Sequence, residues 1–202
     1  MLTKQELRHR IARQHGGGVA KALALRWLHG DEGARSGPLE RRPAAVLVGV
    51  VERPVGPALL LTQRPHHLRD HAGQICFPGG RVEPQDASIA AAALREAEEE
   101  IGLDPRRVEV LGELQPYDTV TGFRIHPVVG WIEPPIDLKL DPREVDEVFE
   151  VPLQFVLDPG NHRRQSYRRG LLTRGYYVLP YQGRFIWGAT AGILVNLSSL
   201  LR

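Results

Sequence analysis

Runs of apolar and β-branched residues divide most of the chain into predicted β-strands. Residues 44–51 and 58–62 form two such runs around a segment of turn-forming Pro and Gly, so we expect them to pair as a hairpin. A third run, residues 75–77, leads into Pro78-Gly79-Gly80. Later alternating segments predict further strands at residues 107–114, 124–132, 145–151, 176–179 and 184–187.

Helical patterns lie between and around these strands. Residues 87–101 consist largely of Ala, Leu, Arg and Glu, the strong helix formers, and Gly102 suits the left-handed position just past the helix end. We also expect helices at residues 153–157 and 189–201. Near the start, Leu7 and Ile11 lie one helical turn apart, which predicts an amphipathic helix. The pattern indicates a helical extension over residues 1–36 and one α/β domain over residues 37–202.

Composition narrows the class of protein. With 202 residues, 42% hydrophobic and 25% charged, the chain can bury a core without disulfides, and its single cysteine, Cys76, is interpreted as a core residue in a reducing compartment. A net charge of +2 does not favour nucleic-acid binding, and we interpret the Arg pairs as solvated surface. No secretory signal or 20-residue apolar span is evident, so a cytoplasmic protein that does not enter membranes is expected.

The predicted helix carries four glutamates in five positions. At about 100° per residue, Glu96, Glu99 and Glu100 lie within roughly 100° of arc, whereas Glu98 points away. A solvated acidic face is one interpretation. However, such carboxylates repel one another, and Mg²⁺ or Mn²⁺ would compensate with an all-oxygen shell. Arg95 is placed to pair with Glu99, and the glycines upstream of the helix would let backbone approach a phosphate or a metal.

The segment from Gly80 to Leu103 resembles the Nudix box, which ends in Arg-Glu, an aliphatic residue, any residue, Glu-Glu, any residue and Gly. The interval from Gly80 to Arg95 is one residue longer than in the family, so we interpret Asp86 as the shifted equivalent of the early acid and as the helix N-cap. The resemblance implies an α/β/α sandwich with a mixed sheet, a loop-helix-loop metal site, and hydrolysis of a pyrophosphate. It also implies that Glu96, Glu99 and Glu100 are metal ligands and that Arg95 orients their carboxylates.

Residues 59–80 are similar to the additional motif of the coenzyme A pyrophosphatase branch of this family. That resemblance implies cleavage of coenzyme A or acyl-CoA to 3′,5′-ADP and (acyl-)4′-phosphopantetheine, with divalent ions assisting in-line attack by water. Coenzyme A carries three phosphates, which Arg and hydrogen-bonding groups bind well. The candidate substrate-binding residues are Arg64, Arg69, His71, Gln74, Gly79 and Gly80.

Two later segments, residues 144–153 and 186–191, also resemble the coenzyme A pyrophosphatase branch. A carboxylate outside the box often activates water or completes the metal shell in these enzymes, and Glu147 is the candidate here. A charged residue at the start of a strand is an equally simple interpretation of Glu147. Two other functions stay open: a Nudix enzyme for ADP-ribose, nucleotide sugars or dinucleoside polyphosphates, and a non-catalytic nucleotide- or RNA-binding protein. The sequence also leaves a homodimer open.

Overall fold

The computed structural model describes residues 2–14, 41–68, 71–169 and 172–202. A large β-sheet forms its centre. The strands of this sheet are β1 (Arg42–Val51), β2 (Ala58–Gln63), β3 (Ile75–Cys76), β4 (Gly79–Arg81), β5 (Val108–Glu113), β6 (Tyr117–Asp118), β7 (Phe123–Ile132) and β8 (Glu147–Pro152).

The main path through the sheet runs β3-β2-β1-β7-β5, while β4 pairs with β1, β6 with β7 and β8 with β2. Strands β1 and β7 run parallel, from Arg42↔Phe123 to Val51↔Ile132, and the other pairs are antiparallel. The sheet is therefore mixed, and the predicted pairing of the first two strands is confirmed.

Helices cover both faces of this sheet. Helix α2 (Ile89–Ile101) packs on the side chains of Leu47 and Leu60. The opposite face, with Val48 and Leu59, contacts the other helices and a second, three-stranded sheet. These elements are α1 (Lys4–Gln14), α3 (Leu153–Leu157), α4 (Gly188–Leu201), β9 (Arg163–Arg169), β10 (Leu172–Tyr181) and β11 (Arg184–Trp187). Because alternate residues of a strand face opposite layers, continuous apolar runs suit this α/β/α arrangement, and the predicted fold class is confirmed.

Helix α2 has well-defined ends. Ser88 is its N-cap, accepting a hydrogen bond from the Ala91 N–H, and Gly102 ends it in the left-handed conformation at φ 67°. The Gly102 prediction is confirmed. The prediction that Asp86 caps the helix is wrong, because its carboxylate accepts instead from the Glu83 N–H and from Arg95.

The N-terminal helix is part of the main body. Leu7 and Ile11 of α1 are fully buried in the same cluster as Leu111 and Leu197, as their spacing predicted. The rest of the predicted helical extension, with its boundary at residue 36, lies outside the described residues. Strand β9 was not predicted, because its Arg-rich sequence lacks apolar alternation. Among the described helices, none combines the length and the apolarity needed to cross a membrane.

Candidate functional site

Strand β4 brings two glycines against the acidic helix. Gly79 has φ 154°, and a Cβ there would lie 2.3 Å from the Ala45 carbonyl oxygen, so a side chain is excluded. Its N–H donates to Glu100 Oε2 at 3.1 Å. At Gly80 a Cβ would lie 2.4 Å from Glu96 Oε2, which shows that this carboxylate rests directly on the glycine backbone.

Glu96 and Glu100 line a cavity of about 730 Å³, and Glu144 faces the same space. The side chain of Glu100 is only 4% exposed, and this burial raises its pKa to about 8, with the negative charges of Glu144 and Glu96 adding to the shift. Burial likewise raises the pKa of Glu96. These carboxylates are thus held where being charged is unfavourable in the absence of a cation.

Arg95 contacts three carboxylates, one in the loop before helix α2 and two on the helix itself. Its Nε lies 3.0 Å from Asp86 Oδ1, and its Nη1 lies 3.0 Å from Glu96 Oε1 and 2.9 Å from Glu99 Oε2. A further N–H donates to the Arg81 carbonyl. The Arg95 hydrogen bond lowers the pKa of Asp86, so this carboxylate stays charged. The role of Arg95 in orienting metal ligands is still a prediction.

Glu99 has a different position from the other two predicted metal glutamates. Its side chain is 59% exposed and is not among the residues that line the cavity. Within residues 2–14, 41–68, 71–169 and 172–202, no group of three His, Cys, Asp or Glu side chains is already gathered as a metal site. The structure therefore brings two of the three glutamates into the cavity and pairs the third with Arg95.

Most of the predicted substrate-binding residues meet in this cavity. Arg64, His71 and Gln74 line it together with the two glycines. Arg64 Nη1 lies 4.0 Å from Glu100 Oε1, and His71 Nδ1 lies 2.7 Å from Gln74 Oε1. Arg69 lies outside the described residues. The upstream motif and the acidic helix that follows it in sequence thus line one cavity.

Glu147 lies outside the lining of this cavity. It stands at the start of β8 and forms an ion pair with Arg184 of β11. Its predicted role in activating water is still a prediction. Glu144, three residues earlier, does line the cavity. Sequence reasoning did not separate the two, because both lie in one acidic stretch and only the tertiary fold decides which faces the site.

Other lining residues were also missed or misplaced. Cys76, interpreted as a core residue, lines the cavity; burial raises its pKa to about 11, which disfavours a thiolate nucleophile near neutral pH. Trp187 lines the cavity as well. Thr190 also lines the cavity, and its hydroxyl donates to the Ile75 carbonyl at 3.0 Å. Single residues of these types carry no sequence signal that marks them as site residues.

Comparison with known proteins shows the family to which the chain belongs. A family model described as the NUDIX domain matches residues 40–169. NudL of Shigella flexneri serotype 5b (strain 8401), described as an uncharacterized Nudix hydrolase, is 51% identical over 162 residues, which are 80% of this chain and 83% of the relative. NudL of Escherichia coli O157:H7 (strain EC4115 / EHEC), described in the same way, is 51% identical over 161 residues, which are 79% of this chain and 83% of the relative.

Two solved structures are also similar to the chain. An Ap4A hydrolase from C. elegans in a binary complex gives a TM-score of 0.48 at 20% identity, covering 55% of this chain and 80% of that one. The Nudix domain of Shewanella oneidensis NrtR, complexed with ADP ribose, gives a TM-score of 0.45 at 21% identity, and the match covers 70% of this chain and 87% of that one. These scores decide nothing about the substrate. The family model, which matches more than half of the chain, and the 51% identity to the relatives together show that the chain belongs to the Nudix hydrolase family and is an enzyme acting on pyrophosphate bonds.

Proposed function

We propose that the enzyme hydrolyses the pyrophosphate bond of coenzyme A or an acyl-CoA, releasing 3′,5′-ADP and (acyl-)4′-phosphopantetheine. One observation carries this proposal: Arg64, His71 and Gln74, from the segment similar to coenzyme A pyrophosphatases, line the same cavity as Glu96 and Glu100. A specificity segment and a hydrolytic centre that share a cavity can act on one substrate.

The donor set of the cavity fits a hard divalent cation. Glu96, Glu100 and Glu144 supply carboxylate oxygens, and the pKa of Glu100 is raised partly by the other two charges. We propose that Glu96 and Glu100 hold Mg²⁺ or Mn²⁺, with Glu99 able to join them by leaving Arg95. When bound, the ion would lower the pKa of the attacking water and neutralise charge on the phosphate oxygens.

Cationic and hydrogen-bonding side chains would bind the substrate phosphates. The guanidinium of Arg64 is well placed for the pyrophosphate, since it lies beside Glu100 and its buried Nε has no hydrogen-bond partner in the described part of the chain. His71 and Gln74, already hydrogen-bonded to each other, present one side of the binding surface. Arg69 is assigned to the 3′-phosphate from the motif alone. Gly79 and Gly80 also line the cavity, and their missing side chains leave space for the Ala45 carbonyl and the Glu96 carboxylate.

The decisive test of substrate is a hydrolysis panel. CoA, acyl-CoAs, ADP-ribose, NADH and diadenosine polyphosphates are incubated with the purified enzyme in Mg²⁺ and in Mn²⁺, and the products are separated. We expect the highest kcat/KM for CoA or an acyl-CoA, with 3′,5′-ADP as a product. Preference for another compound would overturn the substrate assignment, and binding of nucleotides without cleavage of any would overturn catalysis.

A matched pair of variants tests which carboxylate outside the box activates water. Glu144→Gln should lower kcat by the ~10²–10⁴-fold typical of lost acid–base catalysis, with little change in KM, because Glu144 faces the cavity. Glu147→Gln, whose partner is Arg184, should stay within a few-fold of the wild type. The reverse outcome would restore the role to Glu147. If raising Mn²⁺ rescues Glu144→Gln, then Glu144 is a metal ligand.

A further inference from the structure

The main cavity is lined from both faces of strand β4. Gly80 faces helix α2, since a Cβ there would lie 2.4 Å from Glu96 Oε2. Alternate residues of a strand point to opposite faces, so Arg81, the next residue, points away from the helix. Arg81 pairs with Ala44 of β1, and both residues line the cavity. The cavity therefore reaches from the glutamates past β4 onto the other face of the sheet.

On that face the cavity combines an apolar surface with a cation. Ala44, Val46, Phe123 and Ile125 line it and share the face with Arg81, because β1, β4 and β7 are paired. Arg81 is exposed, and its guanidinium carbon lies 5.9 Å from the centre of the Phe123 ring. A ring contact of this kind is weak, so the N–H donors of the guanidinium are available to a ligand.

Arg81 differs from Arg64, the other arginine of the cavity. Arg64 Nη1 lies 4.0 Å from Glu100 Oε1, beside the carboxylates proposed to hold the metal. Arg81 forms no ion pair and no side-chain hydrogen bond with any residue in the described parts of the chain. Glu83 also lines the cavity, but its carboxylate accepts from Gln85. An anionic ligand on this side would consequently meet a guanidinium that has no carboxylate partner.

The backbone that carries Arg81 and Phe123 is held in place. The Arg81 carbonyl accepts from Arg95 Nη2 at 3.2 Å, which connects it to helix α2. The Phe123 N–H donates to Thr119 Oγ1 at 3.0 Å, and the Thr119 N–H donates to the Phe123 carbonyl at 2.8 Å. A side chain on a fixed backbone loses less conformational freedom when it binds a ligand.

We propose that Arg81 binds a second phosphate of the substrate, one carried by the ribose of the nucleoside half and separate from the scissile pyrophosphate. The scissile bond has to lie beside the glutamates of α2, whereas the Arg81 side chain points to the opposite face of the sheet. A guanidinium suits this role because its planar fork matches two phosphate oxygens. The inference rests on the proposed function, since the ribose of coenzyme A carries a 3′-phosphate. Arg69, assigned to the same phosphate from the motif alone, is the alternative.

The test compares kcat/KM for coenzyme A and for dephospho-CoA, which differ only in the 3′-phosphate. Arg81→Gln should lower the ratio of the two values by about 10- to 100-fold, the usual effect of losing a hydrogen bond between charged groups. Arg81→Lys should recover part of the ratio. The control is Arg42→Gln, which removes the same charge from an exposed residue 4.2 Å from the same ring but outside the cavity lining, and it should keep the wild-type ratio.

Three results would overturn the role of Arg81. Equal losses on both substrates would assign it to the scissile pyrophosphate, and an equal fall in Arg42→Gln would show a general effect of charge. A ratio lowered by Arg69→Gln and not by Arg81→Gln would assign the 3′-phosphate to Arg69.

Failure of the proposed function gives a different result. If neither coenzyme A nor dephospho-CoA is cleaved, that function is overturned, and NADPH and NADH supply the substrate pair because they differ by one ribose phosphate. A fall in the ratio of NADPH to NADH in Arg81→Gln would still support the phosphate site, and an unchanged ratio would overturn it.

Discussion

At the scale of single residues, Glu100 is the carboxylate whose surroundings differ most from water. It is buried, it accepts from a backbone N–H, and Glu96 and Glu144 lie near enough to repel its charge. Such a group destabilises the metal-free protein when it ionises, because charge is buried with incomplete compensation. If Glu100 holds a cation as proposed, the metal-free protein carries this carboxylate at a cost in stability.

Replacing Glu100 by Gln should therefore stabilise the metal-free protein at high pH. The folded-state pKa of about 8 lies above the ordinary 4.5, so the folded protein binds more protons between these values and its stability falls as pH rises through that window. Glu100→Gln cannot lose a proton, and its Tm in EDTA should exceed the wild-type Tm at pH 8 by at least the ~2–4 °C that about 1 kcal/mol produces in a domain of this size. The difference should vanish below pH 4.5.

The control is Glu98→Gln, on the exposed side of the same helix, which should follow the wild-type Tm at every pH. Activity gives the complementary readout, since Glu100→Gln should lose most turnover if the residue holds the metal. Parallel Tm curves for the wild type and Glu100→Gln would show that the carboxylate is ionised in the folded state well below pH 8.

At the scale of elements, Arg95 connects helix α2 to the loop that precedes it. Its planar guanidinium bonds Asp86 through two nitrogens, at 3.0 and 3.2 Å, while also contacting Glu96 and Glu99. Two parallel hydrogen bonds from one guanidinium hold the Asp86 carboxylate in a defined orientation and also pair its charge. The single ammonium group of a Lys cannot make this two-nitrogen contact. The loop and the helix should consequently act as one unit in catalysis.

A double-mutant cycle between Asp86→Asn and Arg95→Lys tests that unit. Each single variant should lower kcat/KM, and the double variant should be little worse than Arg95→Lys alone, giving a coupling of ~0.5–3 kcal/mol. The exposed pair Asp104 and Arg106, which is bonded through the same kind of fork, supplies the control, and Arg106→Lys should be silent. Additive losses would mean that Asp86 and Arg95 act separately.

Local patterns predicted the elements better than the site. The hairpin and both ends of helix α2 depend on nearby residues, so turn chemistry, helix propensity and Gly102 were sufficient to place them to within a few residues. The partner of Asp86 is nine positions away, and the choice between Glu144 and Glu147 depends on how β8 pairs with β2. Contacts of that kind follow from the tertiary fold, and only the family resemblance could suggest them beforehand.

At the scale of the whole molecule, the N-terminal helix and the sheet form one core. Leu7 and Ile11 are fully buried against residues of β5 and α4, and Lys4 adds an ion pair with Glu133 at 2.8 Å. A helix seated in this way should unfold together with the domain rather than before it.

Leu7→Ala should accordingly cost about 2–5 kcal/mol in the free energy of unfolding, the usual effect of deleting a buried Leu side chain. Denaturant titration followed by both tryptophan fluorescence and circular dichroism should show a single, shifted transition. His9→Ala, on the exposed face of the same helix, should change stability by less than about 0.5 kcal/mol. A loss below 1 kcal/mol, or a separate early transition, would contradict the shared core.

The parallel pairing of β1 with β7 also has a consequence for the order of folding. Every residue of β4 and α2 lies in the chain between these two strands, so the pairing closes a long loop that contains the glycines and the glutamates. Contacts so distant in sequence form slowly, because the entropy of loop closure opposes them before they stabilise the chain. The acidic helix should therefore acquire its final surroundings late in folding.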